Sequence, residues 1–440
     1  MFCLFPRIRW GLYHRFGDYE VKANLSDYII EKLVQHTSWR TCQINDAMYA
    51  ACWSQRMVIE LDTSIRQQRQ FVQNEVENHL RTYMALPEDQ ELMISSVPSE
   101  PILSEAASIF MTTNPNFSTL DSLRRIITNF GRQQDPSERG ALIAMALLTK
   151  ARDSIVTEHQ LHHNIGAHLP SFSIPTYFEH LFHQNIASEM PSMCLISDEN
   201  KSLADQFAHS TLFFNHFIQP DQEDVAVDRD MHPLFLGRCS AIRGAKHQPG
   251  FDLMHIATLF GTSIQKDNRV LILWQIKNSV QYNDVPDKDL FHAMCPVKLN
   301  MIKKDEKMPC IIRIVFALAS HTPKFTKVEY TKEEVEERCY VTTYDFYVAG
   351  MDPSVFVPVL EGETEAWKYF LRDEPRWSAK YTHVAGSEAQ NAQRSQAPLA
   401  RKHEGHTRAL DGLQVITSPT PHNVAVTDPR SQIPYGSTPK

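Results

Sequence analysis

Asp252, Gln275 and Lys277 are residues whose types and spacing could do chemistry together. In the run Arg269–Asn278, RVLILWQIKN, a strand would send successive side chains to opposite faces. Val270, Ile272, Trp274 and Ile276 then share one wholly apolar face, which should be buried. Leu271, Leu273, Gln275 and Lys277 share the other, which ends polar and sets an amide and an ammonium about 7 Å apart. Asp252 opens an earlier apolar run, after Gln248-Pro249-Gly250-Phe251, where Pro and Gly turn the chain into a strand. A hairpin across the loop GTSIQKDN would bring Asp252 beside Gln275 and Lys277. A carboxylate and an amide oxygen can hold a hard divalent cation such as Mg2+, so Asp252 and Gln275 are the expected metal ligands. Such a cation lowers the pKa of a bound water and neutralises charge at a phosphate. Lys277 would orient that water or stabilise the charge of the transition state.

The elements that must position these residues follow from pattern. Four strand-like runs, FDLMHIATLF, RVLILWQIKN, CIIRIVFALA and CYVTTYDFYVAG, are rich in β-branched and aromatic residues. A helix over Pro233–Ala245 precedes them, PDKDLFHAM forms a short helix between the second and third, and EAWKYFL closes the segment. Phe251 and Trp274 alternate with Asp252 and Gln275 and are expected as core anchors. Residues 219–377 are therefore expected to form a mixed α/β domain. Residues 1–218 read as a helical accessory region, with helices over Leu25–His36, Ser118–Gly131, Glu138–Ile155 and Leu203–Ile218. In the second of these, Ser118-Thr119-Leu120-Asp121 resembles a capping box. Residues 378–440 lose apolar pattern and are expected to be a disordered tail.

The pattern PGFD…WQIKN resembles the PD-(D/E)XK, or restriction-endonuclease-like, nuclease superfamily, in the subset where Gln replaces the acidic residue of the second half-motif, as in Mrr-like enzymes. The wider string, Phe235-Leu236 through Arg238-Cys239-Ser240-Ala241, then QPGFDL and ILWQIKN, is similar to nuclease-like domains of fungal Crinkler-type and mobile-element proteins. The resemblance covers roughly residues 205–350. It implies a restriction-endonuclease-like fold and Mg2+-dependent hydrolysis of phosphodiester bonds, with DNA as the nucleic-acid partner. Asp252 would be a metal ligand, Gln275 a ligand or its substitute, and Lys277 the catalytic lysine. The pattern's further acidic residue on the preceding helix has Asp228 and Asp230 as candidates. The alternative is a nuclease fold that has lost catalysis and serves as a protein-interaction module, with the helical region as the partner surface.

Charge is distributed as a polyanion site would need. The chain carries a net charge of −8, yet Met231–Tyr330 holds 14 Lys and Arg against 8 Asp and Glu. No apolar run approaches the ~18 residues of a membrane span. The opening MFCLFPRIRW lacks the continuous apolar centre of a secretory signal, so an intracellular protein is expected, nuclear or cytoplasmic being left open. The eight cysteines are scattered, without a CxxC pair, and suggest neither a disulfide framework nor a zinc module. His159, His162 and His163, and Glu179-His180 with His183, fall at helical spacing without an HExxH and are expected as exposed helix faces. Lys303, Lys304 and Lys307 read as a solvated loop able to touch phosphate. No GxxxxGK[ST] occurs, so the first half is not read as a P-loop domain.

Overall fold

The computed structural model describes residues 19–59, 61, 65–85, 94–96, 100–130, 136–158, 171–194, 200–220, 222–246, 248–261, 268–302, 310–338 and 341–371. They belong to one unit, Met1–Asp373. The chain begins with helices α1 (Tyr19–Val34), α2 (Asp46–Ser54) and α3 (Arg66–Asn78), followed by a small hairpin, β1 (Thr82–Ala85) and β2 (Ile94–Ser96). Helices α4 (Pro101–Thr113), α5 (Thr119–Phe130), α6 (Pro136–Glu158), α7 (Ile174–Glu179) and α8 (Leu203–Phe207) come next. Ser118, in the expected capping box, accepts from the Asp121 N–H at 3.2 Å, and Asn45 caps α2 by accepting from the Met48 N–H at 2.9 Å.

Strands β3 (Thr211–Leu212) and β4 (His216–Ile218), helices α9 (Glu223–Val227) and α10 (His232–Gly237), and strands β5 (Ser240–Arg243), β6 (Leu253–Thr258) and β7 (Arg269–Lys277) follow. After them come α11 (Lys288–Ala293), β8 (Ile311–Ala317), β9 (Lys324–Lys327), α12 (Lys332–Arg338), β10 (Thr343–Ala349) and α13 (Thr364–Leu371). Among the described residues these strands build an eight-stranded mixed sheet in the order β4-β5-β6-β7-β8-β10-β9, with β3 also paired to β6. β6 pairs antiparallel with both β5 and β7, while β7, β8 and β10 run parallel. This is the expected mixed α/β architecture, with helices N-terminal to the sheet.

β7 is central and buried on both faces, which is why its sequence is a nearly unbroken apolar run. On one face Leu271 and Leu273 join Met254, Ile256, Phe291 and Val315 in a core cluster. On the other, Trp274 packs against Phe178 and Phe316 and donates from Nε1 to His255 Nδ1 at 2.8 Å. Helix α6 lies against β7 and is itself buried almost all round, from Gly140 to Thr149, as its Ala-rich composition allows. Phe251 and Trp274 are core anchors, as expected.

Two expected helices end early. The helix expected over Leu203–Ile218 stops at Phe207, because the next residues find strand partners. Leu212 exchanges backbone hydrogen bonds with Phe172, and β4 pairs with β5. Their apolar residues fit a pleated surface as well as a helix, and tertiary pairing decides. The helix expected over Pro233–Ala245 ends at Gly237: Cys239 takes the left-handed conformation at φ 52°, and Ser240–Arg243 becomes β5. No helix among the described residues is long and apolar enough to cross a membrane. His159, His162, His163, Lys303, Lys304, Lys307 and the tail from 378 lie outside the described residues.

Candidate functional site

The β6–β7 register decides where the three expected residues meet. Leu253 stands opposite Trp274, and the Asp252 N–H donates to the Trp274 carbonyl at 2.8 Å, so Asp252 lies beside Gln275 at the start of β6. Alternation puts Asp252 on the face of Met254 and Ile256, and Gln275 and Lys277 on the face of Leu271 and Leu273. Both sets belong to the same core cluster. All three residues are therefore at one end of one sheet face, and each is half-buried.

Their individual contacts differ. Asp252 Oδ2 accepts from the Ile276 N–H at 2.5 Å, taking the place of a backbone acceptor where the ladder ends. Burial raises the Asp252 carboxyl above its ordinary range, opposed by that N–H and by the positive charges of Lys277 and Arg243. The amide oxygen of Gln275 is buried and accepts no hydrogen bond. A buried acceptor left unbonded costs about 1–3 kcal/mol, so a donor or cation there would be favoured. The Lys277 ammonium sits over the Tyr282 ring, 5.6 Å from its centroid. Tyr282 belongs to a loop held by the Tyr347 hydroxyl, which donates to the Asn283 carbonyl at 3.0 Å.

The donor set suits a hard cation in type. It offers the second oxygen of Asp252 and the open amide oxygen of Gln275, both of the class Mg2+ prefers, with water for the remaining positions. No group of three or more His, Cys, Asp or Glu among the described residues could hold a metal ion. One carboxylate, one amide and water are what this place provides. Glu179, His180 and His183 build no metal group either; His180 Nδ1 lies 3.1 Å from Ser154 Oγ and its Nε2 3.3 Å from Glu158.

Asp228 and Asp230, the candidates for a further acid, are not near this site. Both lie between α9 and α10, where Arg269, at the opposite end of β7, donates to the Arg229 carbonyl. The eight strand steps from Arg269 to Lys277 span about 26 Å. An acid from elsewhere is closer: Glu138, in the first turn of α6, pairs with Arg243 at 3.6 Å. Arg243, Glu138 and Tyr282 were not singled out by the sequence. Nothing in spacing ties Glu138 or Arg243 to Asp252, and Tyr282 is marked only by its place five residues after Lys277.

The family of domains of unknown function DUF8736 matches residues 50–314, more than half of the chain. The chain belongs to the DUF8736 family. The DUF8736 match begins in α2 and ends within β8, so α6, Asp252, Gln275 and Lys277 all fall inside it. No curated protein and no solved structure matches the chain.

Proposed function

We propose that this DUF8736 protein is a metal-dependent nuclease, or a nuclease-like DNA-binding protein, with Asp252, Gln275 and Lys277 as its working group. The observation that carries the reading is the meeting of these three side chains at one end of the β6–β7 face, with the Gln275 amide oxygen buried and unbonded. Asp252 and Gln275 would hold Mg2+, which when bound supplies charge neutralisation at the phosphate and a more acidic water. Lys277 keeps an ammonium beside them, held by the Tyr282 ring, and would stabilise charge as it develops on the phosphoryl oxygens. The excess of Lys and Arg over Asp and Glu in Met231–Tyr330 supports a polyanionic partner.

A second reading has its own support. Asp252 already satisfies the Ile276 N–H, and Gln275 is neutral, which suits a decayed nuclease fold whose helical region binds a protein. The deciding experiment is Mg2+-dependent cleavage of DNA by the full chain, wild type beside Lys277→Ala and Asp252→Asn. Cleavage that is lost in both variants and with chelator is the expected result. DNA binding without cleavage would favour the decayed fold, and neither binding nor cleavage would remove the nuclease reading.

A further inference from the structure

Arg243 is the last residue of β5 and stands opposite Leu253; the next N–H along, that of Gly244, donates to the Asp252 carbonyl at 2.8 Å. Its side chain is buried rather than solvated. One guanidinium nitrogen lies 3.6 Å from the Glu138 carboxylate, and another donates at 3.5 Å to the Val58 carbonyl, beyond the end of α2. Two residues after Glu138, Gly140 packs on the end of β7. A Cβ added there would lie 2.9 Å from Asn278 Cβ and 3.3 Å from Ile276 Cγ2. Ile276 is the residue whose N–H Asp252 holds.

These contacts close a ring. It runs from Glu138 to Arg243 by charge, and from β5 to Asp252 through the ladder. The Asp252 carboxylate continues it to Ile276, and packing returns it from Ile276 to the first turn of α6. We propose that Arg243, braced by Glu138, is a positioning residue that fixes the Asp252 carboxylate on the Ile276 N–H. The first turn of α6 thereby supports the site from the opposite face of the sheet. A carboxylate held by one oxygen on a backbone N–H keeps one orientation, and its second oxygen is presented at a fixed place. Arg suits this role because its fork can serve a carboxylate and a carbonyl at once, whereas Lys offers a single ammonium. The consequence for Mg2+ rests on the nuclease reading; the brace itself does not.

The test therefore has two readouts on the full chain: hydrogen exchange of the Ile276 amide by NMR after 15N-isoleucine labelling, and the Mg2+ concentration required for DNA cleavage. Arg243→Gln is expected to speed exchange at Ile276 on the order of tenfold, with Ile272 and Ile312 in the neighbouring ladder unchanged. It should also raise the Mg2+ requirement about tenfold, leaving the rate at saturating Mg2+ within about twofold. Arg243→Lys should recover part of both effects, and Glu138→Gln should move both in the same direction by less. Wild-type exchange at Ile276 in Arg243→Gln would overturn the brace. So would uniform loss of protection across the sheet in both Arg243→Gln and the milder Glu138→Gln, which would mark a purely structural pair. If the wild type neither cleaves DNA nor responds to Mg2+, the nuclease reading fails while Ile276 exchange still decides the brace.

Discussion

Arg313 and Asp345 face each other across the parallel β8–β10 pair, and both are buried. The guanidinium donates to the carboxylate twice, at 2.7 and 2.6 Å, and once to the Phe291 carbonyl at 2.8 Å. Asp345 also accepts from the Thr343 hydroxyl at 3.0 Å. A pair this well bonded is most costly when only half of it is removed, because the remaining charge stays buried without its counter-ion. Asp345→Ala should therefore destabilise the fold by about 3–5 kcal/mol, and Arg313→Met combined with Asp345→Leu by clearly less. Urea unfolding of the three proteins checks the order, and a double variant worse than the single one would contradict it. Gln275 and Lys277 were legible because strand alternation assigns them a face, and Asp252 because a hairpin brings the start of the preceding strand beside them. Arg243 was not, since its partner Glu138 is about a hundred residues away and only the folded chain joins them.

Among the elements, α6 carries a glycine inside a 23-residue helix, where alanine would ordinarily be favoured by about 1 kcal/mol. Gly140 faces the end of β7, and a Cβ there would come within 2.9 Å of Asn278 Cβ. Overpacking of this kind costs roughly 1–3 kcal/mol, so Gly140→Ala should be neutral to about 2 kcal/mol destabilising and Gly140→Leu worse. Gly237→Ala serves as the control, because nothing lies within 4 Å of its added Cβ. Thermal unfolding distinguishes them; a stabilised Gly140→Leu would show that α6 and β7 do not meet as described. The same elements show how far sequence reaches. β6, β7, β8 and β10 were legible because each is a buried run of six to nine apolar-rich residues flanked by breaks. β3, β4 and β5 were not, being two to four residues long and defined by what they pair with. The edge strand β9, with lysines at both ends, has the composition of a solvated loop. The sequence of α12 carries its own start signal. Thr331 and Glu334 form a reciprocal cap: Glu334 accepts from the Thr331 N–H at 2.7 Å, and the Thr331 hydroxyl from the Glu334 N–H at 3.3 Å.

At the scale of the whole molecule, buried titratable groups set the response to pH. Burial pushes His216 and His255 down to about 3 and His232 to about 4, from an ordinary value of 6.5. Below pH 6.5 the unfolded chain binds protons that these folded histidines refuse, so stability falls with falling pH until the folded values are reached. Glu75 acts in the opposite sense. Burial raises its carboxyl from 4.5 to about 8, so across that window the folded chain keeps a proton that the unfolded chain releases, and stability declines as pH rises. Between pH 4.5 and 6.5 these three histidines, joined by His79, which burial also lowers, oppose Glu75 and Asp252, which burial raises, and acid destabilisation wins by roughly 2–3 kcal/mol per pH unit at its steepest. Above 6.5 release of the glutamate's proton removes about 1 kcal/mol per unit up to pH 8. Maximum stability is therefore expected between about pH 6.5 and 7. Urea midpoints from pH 4.5 to 8.5 measure the curve, and Glu75→Gln should flatten its alkaline limb while leaving the acid limb in place. An acid limb that is flat between pH 5 and 6.5 would mean the three histidines are not held neutral by the fold. An alkaline limb unaltered by Glu75→Gln would place its cause in another group.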